Sequence, residues 1–187
     1  MSMSVTRALA LAGATALLAC GSSTPAAQAP PQTAGSTEGR TVAPDFTARD
    51  VEGKTFRLSD HLGKQVILLD FWSTFCEPCK GEMPHLRAIY DDNKDKGMII
   101  VGVAMDGPES MAEVPAFVRR YSVDFPVILD DDSHIASLYD PKKSMPLSVL
   151  IARDGHIIKV REGYNPGEEK LVAADVAEAL AGTAAAQ

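Results

Sequence analysis

Between Val42 and Ala181 short apolar runs alternate with polar turn signals, and the period of each run predicts its element. Val66–Phe71 (VILLDF) and Met98–Ala104 (MIIVGVA) are continuous, β-branched and short, as strands covered on both faces are. Asp45–Ala48 and Thr55–Leu58 read as extended segments around a turn at Glu52–Gly53, with one helical turn at Ser59–Leu62. A helix is expected from near Glu77 to Gly97: Leu86, Ile89 and Tyr90 recur at helical spacing, Pro78 is tolerated in a first turn, and Pro84 is a candidate kink. Lys80, Glu82 and His85 are expected on the surface of that helix.

Ser110 precedes a second helical pattern, Val114, Phe117, Val118 and Tyr121, and is expected to cap it. Phe125–Leu129 and Leu147–Ile151 read as strands flanking a short helix at His134–Leu138. Asp154–Gly155 is a two-residue hairpin signal that pairs Leu147–Ile151 with His156–Val160. A last helix begins near Gly167, with Glu168 and Glu169 at its positive end and Leu171, Val172, Val176 and Leu180 facing inward. This order predicts an α/β fold: a mixed central sheet, parallel in its first half, flanked by helices on both faces and preceded by an N-terminal β-hairpin.

The chain before Val42 has another character. Residues 1–19 carry one Arg, an apolar run from Ala8 and no acid, as an export signal does, and the run is too short for a span of about 20 apolar residues. Leu17-Leu18-Ala19-Cys20 resembles the lipobox of bacterial lipoproteins, which implies that Cys20 is acylated and becomes the first mature residue. Gly21, where an acid would retain such a protein, favours the outer over the inner membrane, on the periplasmic side. Residues 20–41 are small, polar and proline-rich, a flexible tether with a reach of roughly 25 Å. The domain itself is expected over 42–182, followed by a disordered tail at 183–187.

With 18 basic and 25 acidic residues the formal charge is -7, and removal of Arg7 with the signal makes it -8. No basic field suits a phosphate backbone, so nucleic acid is not an expected partner. The 187 residues suffice for one domain with a sizeable core.

The other two of the three cysteines lie in FCEPCK, as Cys76 and Cys79. Zinc would need two more ligands, and neither a second Cys-x-x-Cys nor a suitably spaced His exists, since His61, His85 and His134 are scattered. A purely structural disulfide closing so small a loop stabilises little. The redox alternative has a mechanism: Cys76, directly after a strand and at a helix start, meets unpaired N–H groups that favour its thiolate, and Cys79 lies one turn further on the same face.

VILLDFWSTFCEPCKGEMP and the later Met145-Pro146 resemble the thioredoxin superfamily, and within it the membrane-tethered TlpA/ResA-type thiol-disulfide oxidoreductases. The likeness extends over about Ala43 to Ala181 and includes Pro44, Asp45, Phe46, Gly53, Leu58, Ser59, Asp60, Gly63, Lys64 and FPVILD at 125–130. It implies a thioredoxin-like fold, Cys76 as nucleophile, Cys79 as resolving thiol, Pro78 as a stiffener of the turn, and a cis peptide before Pro146. Trp72 belongs to the same motif. Phe75 stands where Trp is usual and Leu147 where Thr is usual, so contacts of Phe75 and Met145 with substrate are expected to differ. Thioredoxin itself places an acid six residues before its first active-site Cys; Asp70 matches and is implied as general base for Cys79. A lone acid in a buried strand also calls for a raised pKa. Glu77, between the thiols, disfavours a neighbouring thiolate and leans towards a reductant. MDGPES at 105–110 offers Asp106 or Glu109 as a further acid.

The resemblance implies no cofactor. Its partners are protein thiols or disulfides, with apocytochrome c during cytochrome c maturation as one example, a membrane electron-donor protein, and the membrane through Cys20. Two rivals remain. PDFTARDVEGKTFRLSDHLGK also resembles the N-terminal segment of peroxiredoxins of AhpC/TSA type, but Leu69 and Ser73 occupy the Pro and Thr positions of their motif. A Cu(I)-binding thioredoxin-fold lipoprotein would use Cys76, Cys79 and His134.

Overall fold

The computed structural model describes residues 40–184. The signal segment, Cys20, the tether as far as residue 39 and the last three residues of the expected tail lie outside the described residues.

Among the described residues seven strands and four helices follow in the order β1 (Thr47–Arg49), β2 (Thr55–Arg57), β3 (Val66–Trp72), α1 (Glu77–Asn93), β4 (Met98–Ala104), α2 (Val114–Arg120), β5 (Val127–Leu129), α3 (His134–Tyr139), β6 (Leu147–Ile151), β7 (Ile157–Glu162) and α4 (Glu169–Ala184). β1 and β2 form a separate antiparallel pair. The main sheet has the order β5-β4-β3-β6-β7, parallel across β3, β4 and β5 and antiparallel across β3, β6 and β7.

Side-chain alternation along β3 assigns its two faces. Val66, Leu68 and Trp72 pack with Met83, Leu86 and Ile89 of α1, Val114 and Phe117 of α2, and Val172, Val176 and Ala179 of α4. Ile67, Leu69 and Phe71 pack on the other face with Ile135 and Ala136 of α3 and with Phe46, Phe56 and Leu58 of the N-terminal pair. Asp70 shares the period of Leu68 and Trp72, so it faces α1. At Gly102 of β4 a Cβ would stand 3.0 Å from Trp72 Nε1 and 3.3 Å from Val127 Cγ2, so a side chain there would press the indole and Val127 back by a few tenths of an ångström.

Several expectations need correction. α1 runs through Pro84 and ends in a 3-10 turn, Lys94–Lys96, closed by left-handed Gly97. The Ser110 side chain caps nothing; a 3-10 turn intervenes and α2 starts at Val114 with Pro115 in its first turn, whose missing N–H needs no partner. The β6–β7 connection is a three-residue loop, Arg153-Asp154-Gly155, bounded by Ala152 N→His156 O (2.9 Å) and Gly155 N→Ala152 O (3.0 Å). Gly155 has φ +85°, the bulge geometry that such loops require. Leu171 is half exposed and Leu180 packs only partly, because Val172, Val176 and Ala179 form the inward stripe of α4. α4 continues to Ala184, two residues past the expected boundary.

The chain enters the fold along β7: Ala43 N bonds Gly155 O (2.8 Å), Ile157 N bonds Thr41 O (2.8 Å), and Val42 pairs with His156. Among the described residues no helix is long and apolar enough to cross a membrane.

Candidate active site

β3 ends at Trp72 and the chain turns through Ser73, Thr74 and Phe75 into α1. Cys76 is the N-cap residue: its backbone is extended, and its Sγ accepts the Cys79 N–H at 3.2 Å. Glu77 and Pro78 are the first two helical positions, and the proline fills a place whose N–H would have no helical partner. Cys76 and Cys79 form a disulfide. Cys76 is 9% exposed and Cys79 2%, so of the two sulfur-bearing residues Cys76 is the more open to a partner.

The turn is held from β4. Asp106, fully buried just beyond that strand, accepts the Thr74 N–H at 3.0 and 3.2 Å through its two oxygens and also takes the Thr74 hydroxyl. Of the two acids in MDGPES it is therefore Asp106 that meets the active-site loop, while Glu109 is exposed. Met105 N donates to Trp72 O at 2.8 Å and fastens the strand end beneath.

The Met145–Pro146 bond is cis. Extending the β3–β6 register past Phe71↔Leu147 sets Pro146 and Met145 beside the Cys76 turn. Pro146 is buried, Met145 half-buried, and the Pro146 carbonyl accepts Gly163 N–H at 2.8 Å. Phe75, next to Cys76, is 60% exposed and forms an apolar surface beside the sulfur. Trp72 is wholly buried with both cysteines in one core cluster and packs on Phe117, ring centroids 4.4 Å apart; it supports the site from within.

Two buried carboxyls, one on β3 and one on α1, lie close enough to feel each other's charge. Asp70 is fully buried, its Oδ1 has no hydrogen-bond partner, and burial first, then the charge of Glu82, pushes its pKa well above the ordinary 3.8. Glu82 was expected on the surface and is 3% exposed. It follows Cys79 by three residues and precedes Leu86 by four, which places it on the buried stripe with Cys79, Met83 and Ile89. Its Oε2 also lacks a partner, and burial, with the charge of Glu168 second, raises its pKa from 4.5 to about 7. Lys80 and His85 do sit towards solvent.

Glu77 projects outwards, 81% exposed by its side chain, and pairs with Lys80 at 2.6 Å. Its charge is offset and screened, so its expected pressure against a thiolate is weak. Among the described residues no group of three or more His, Cys, Asp or Glu is arranged to hold a metal ion. His134 begins α3, on the sheet face opposite the one α1 covers.

A disulfide at a helix start, a neighbouring cis-proline and a mixed five-stranded sheet with helices on both faces define a thioredoxin-like thiol-disulfide oxidoreductase. The chain belongs to the AhpC/TSA family, which it matches over residues 40–160. It is 39% identical over 127 residues to the thiol-disulfide oxidoreductase ResA of Bacillus thuringiensis subsp. konkukian, covering 68% of this chain and 71% of that one. With ResA of Bacillus subtilis it shares 41% over 121 residues, 65% of each chain. A crystal structure from Chlorobium tepidum, described as a thiol:disulfide interchange protein DsbE, superposes with a TM-score of 0.70 at 30% identity, covering 75% of this chain and 96% of that one.

Proposed function

We propose that the protein is an exported, lipid-anchored reductant of protein disulfides, held to the periplasmic side of a bacterial membrane through Cys20. The observation that carries the reading is a Cys-Glu-Pro-Cys disulfide at the start of a helix whose buried stripe also carries Glu82, which with Asp70 holds a buried carboxyl oxygen without a hydrogen-bond partner. Cys76 is the nucleophile. Its thiolate is favoured by the helix start and the Cys79 N–H, and it attacks a substrate disulfide to form a mixed disulfide while one substrate thiolate leaves. Cys79 then loses its proton to this carboxyl pair and attacks Cys76 Sγ. The Cys76–Cys79 bond forms, the bond to substrate breaks, and the second substrate sulfur departs as a thiolate that takes a proton from solvent.

Asp70 is the base facing Cys79, with Glu82 beside it. Carboxyls in that place disfavour a standing thiolate, so the dithiol is less stabilised relative to the disulfide, which favours donation of electrons. This support for a reductant replaces the one drawn from Glu77. Phe75, Met145 and Pro146 form the surface on which a substrate segment lies. The sequence likeness to ResA proteins favours substrates such as the haem-binding thiols of apocytochrome c, with a membrane dithiol protein returning the electrons.

Replacing Cys79 by Ser tests the reading, because the mixed disulfide then persists on Cys76 and its partners can be identified by mass. Recovery of apocytochrome c or other exported cysteine proteins is expected. A variant that traps none, in a protein that consumes hydroperoxide instead, refutes the assignment in favour of a peroxidase.

A further inference from the structure

Resolution leaves a proton on a carboxyl pair that is closed to solvent at Asp70, and for that pair to equilibrate with water between the two half-reactions the proton needs a route. Behind α1 lies a cavity of about 210 Å³ lined by Glu82, Arg161, Glu162, Tyr164, Glu168 and Val172 among others. At about 30 Å³ per molecule it has room for several waters, and its walls supply polar partners for them. Glu82 forms its inner wall, while Val160, Glu162 and Gly163, all exposed, reach its outer side.

We propose that this cavity is the proton exit of the dithiol site, and that Glu168 is the group at its mouth which passes the proton between Glu82 and bulk water. The inference rests on the exchange chemistry proposed above and adds the route by which its proton leaves.

The charges around the cavity favour that direction. Arg161 is committed to Asp175, with Nε to Oδ2 at 2.7 Å, and Lys159 also lies 3.9 Å from Asp175. Tyr164 donates its hydroxyl to Glu169 at 3.1 Å and packs over Gly81 of α1, where a Cβ would meet it at 3.5 Å. Arg161 of the lining is thus held by Asp175, and the carboxyls of Glu162 and Glu168 share the cavity wall with Glu82. Glu168 is fixed by the Asn165 N–H on Oε2 at 2.8 Å. It is half-buried and close enough that its charge is the second cause of the raised Glu82 pKa. The groups that face Glu82 are therefore Asp70 from β3, Cys79 from its own helix, Arg161 and Glu162 from β7, Tyr164 from the following loop, and Glu168. In the resolving step the Cys79 proton moves to Asp70 and Glu82, then through cavity water to Glu168 and solvent. When a donor dithiol reduces the disulfide, a proton enters by the same path to neutralise Cys79.

The test uses the reduced full-length protein and glutathione disulfide, a substrate that needs no protein docking surface. Trp72, the only tryptophan and a neighbour of both cysteines in the core, reports disulfide formation by stopped-flow fluorescence. The plateau rate at saturating glutathione disulfide isolates resolution. Glu168→Gln keeps the acceptor for Asn165 N–H and is expected to lower that plateau about three- to tenfold in dilute buffer at neutral pH, with concentrated imidazole restoring the parental rate, as exogenous acids and bases do for a lost shuttle. Val160→Phe, which narrows the outer side, is expected to slow the plateau similarly. Parental rates for either variant in dilute buffer overturn the proposal, as does a slowing of Glu168→Gln that imidazole leaves unrelieved. A parent protein that leaves glutathione disulfide intact fails at the level of the proposed function and takes this route with it.

Discussion

Replacing Glu82 by Gln should make the protein more stable, by an amount that is nil near pH 4, grows above about pH 4.5 and levels off above about pH 7. In the folded state burial and the nearby Glu168 hold the Glu82 carboxyl at about 7, against an ordinary value of 4.5. Below about pH 4.5 both folded and unfolded states keep the proton and no difference arises. As the pH rises from there, the unfolded chain releases its proton first, so stability falls until the folded carboxyl also ionises near pH 7. At about 1.4 kcal/mol per pH unit that window amounts to about 3 kcal/mol. Glutamine has nearly the same shape and cannot ionise, so the variant should match the parent near pH 4 and exceed it by about 2–3 kcal/mol at pH 8. Asp70 contributes a slope of the same sign to both proteins, and the lost Glu82 charge eases its ionisation in the variant. The measurement is urea denaturation of the oxidised proteins at about pH 4, 6 and 8, followed by far-UV circular dichroism, with the variant-minus-parent difference isolating position 82. A difference that stays constant across pH, or a variant that loses stability as steeply as the parent, would refute the argument.

Alkylation of the reduced protein at neutral pH should label Cys76 before Cys79, and mass mapping that finds the reverse order exchanges their roles. Asp70→Asn should slow resolution about tenfold or more near neutral pH, as loss of a general base does, with the deficit shrinking towards pH 9 as Cys79 ionises unaided; identical pH profiles leave Asp70 as scaffold. Asp106→Ala strands the buried Thr74 N–H and should cost about 1–3 kcal/mol in thermal or urea unfolding, while Asp106→Asn, which keeps an acceptor, should cost less. Gly102→Ala pushes a methyl group against Trp72 and Val127 and should destabilise by about 1–3 kcal/mol, with a changed tryptophan emission as the local check.

The main sheet was legible because Val66–Phe71 and Met98–Ala104 carry an unbroken apolar signal that only doubly covered strands need. Asp70 was legible for the converse reason, a single acid in such a run. Glu82 was missed although the signal existed: Cys79, Met83, Leu86 and Ile89 already mark the buried stripe, and position 82 falls on it by its spacing. Residue type overruled period, since glutamate in a Lys- and His-containing segment reads as surface. The link between Asp106 and Thr74 spans 32 residues and depends on the parallel register of β3 and β4, which local pattern does not specify. The β6–β7 turn failed for a smaller reason: Asp-Gly serves both two-residue turns and the end of three-residue loops, and the identity of the flanking Arg153 does not separate them.

The hydrogen bonds of Thr41 and Ala43 to Ile157 and Gly155 give the domain two poles. Gly155 belongs to the turn below the Ile67↔Ile151 pair, at the start of β3, whereas the dithiol stands past its other end, roughly 20 Å away along a seven-residue strand. The segment from Thr41 to Ala43 thus joins the domain at the end of the sheet remote from the Cys76 turn. Under the lipid anchor proposed above, the attachment and the sulfurs would lie at opposite ends of the sheet. A partner of either kind, substrate or electron donor, could then reach the dithiol without meeting the point of attachment.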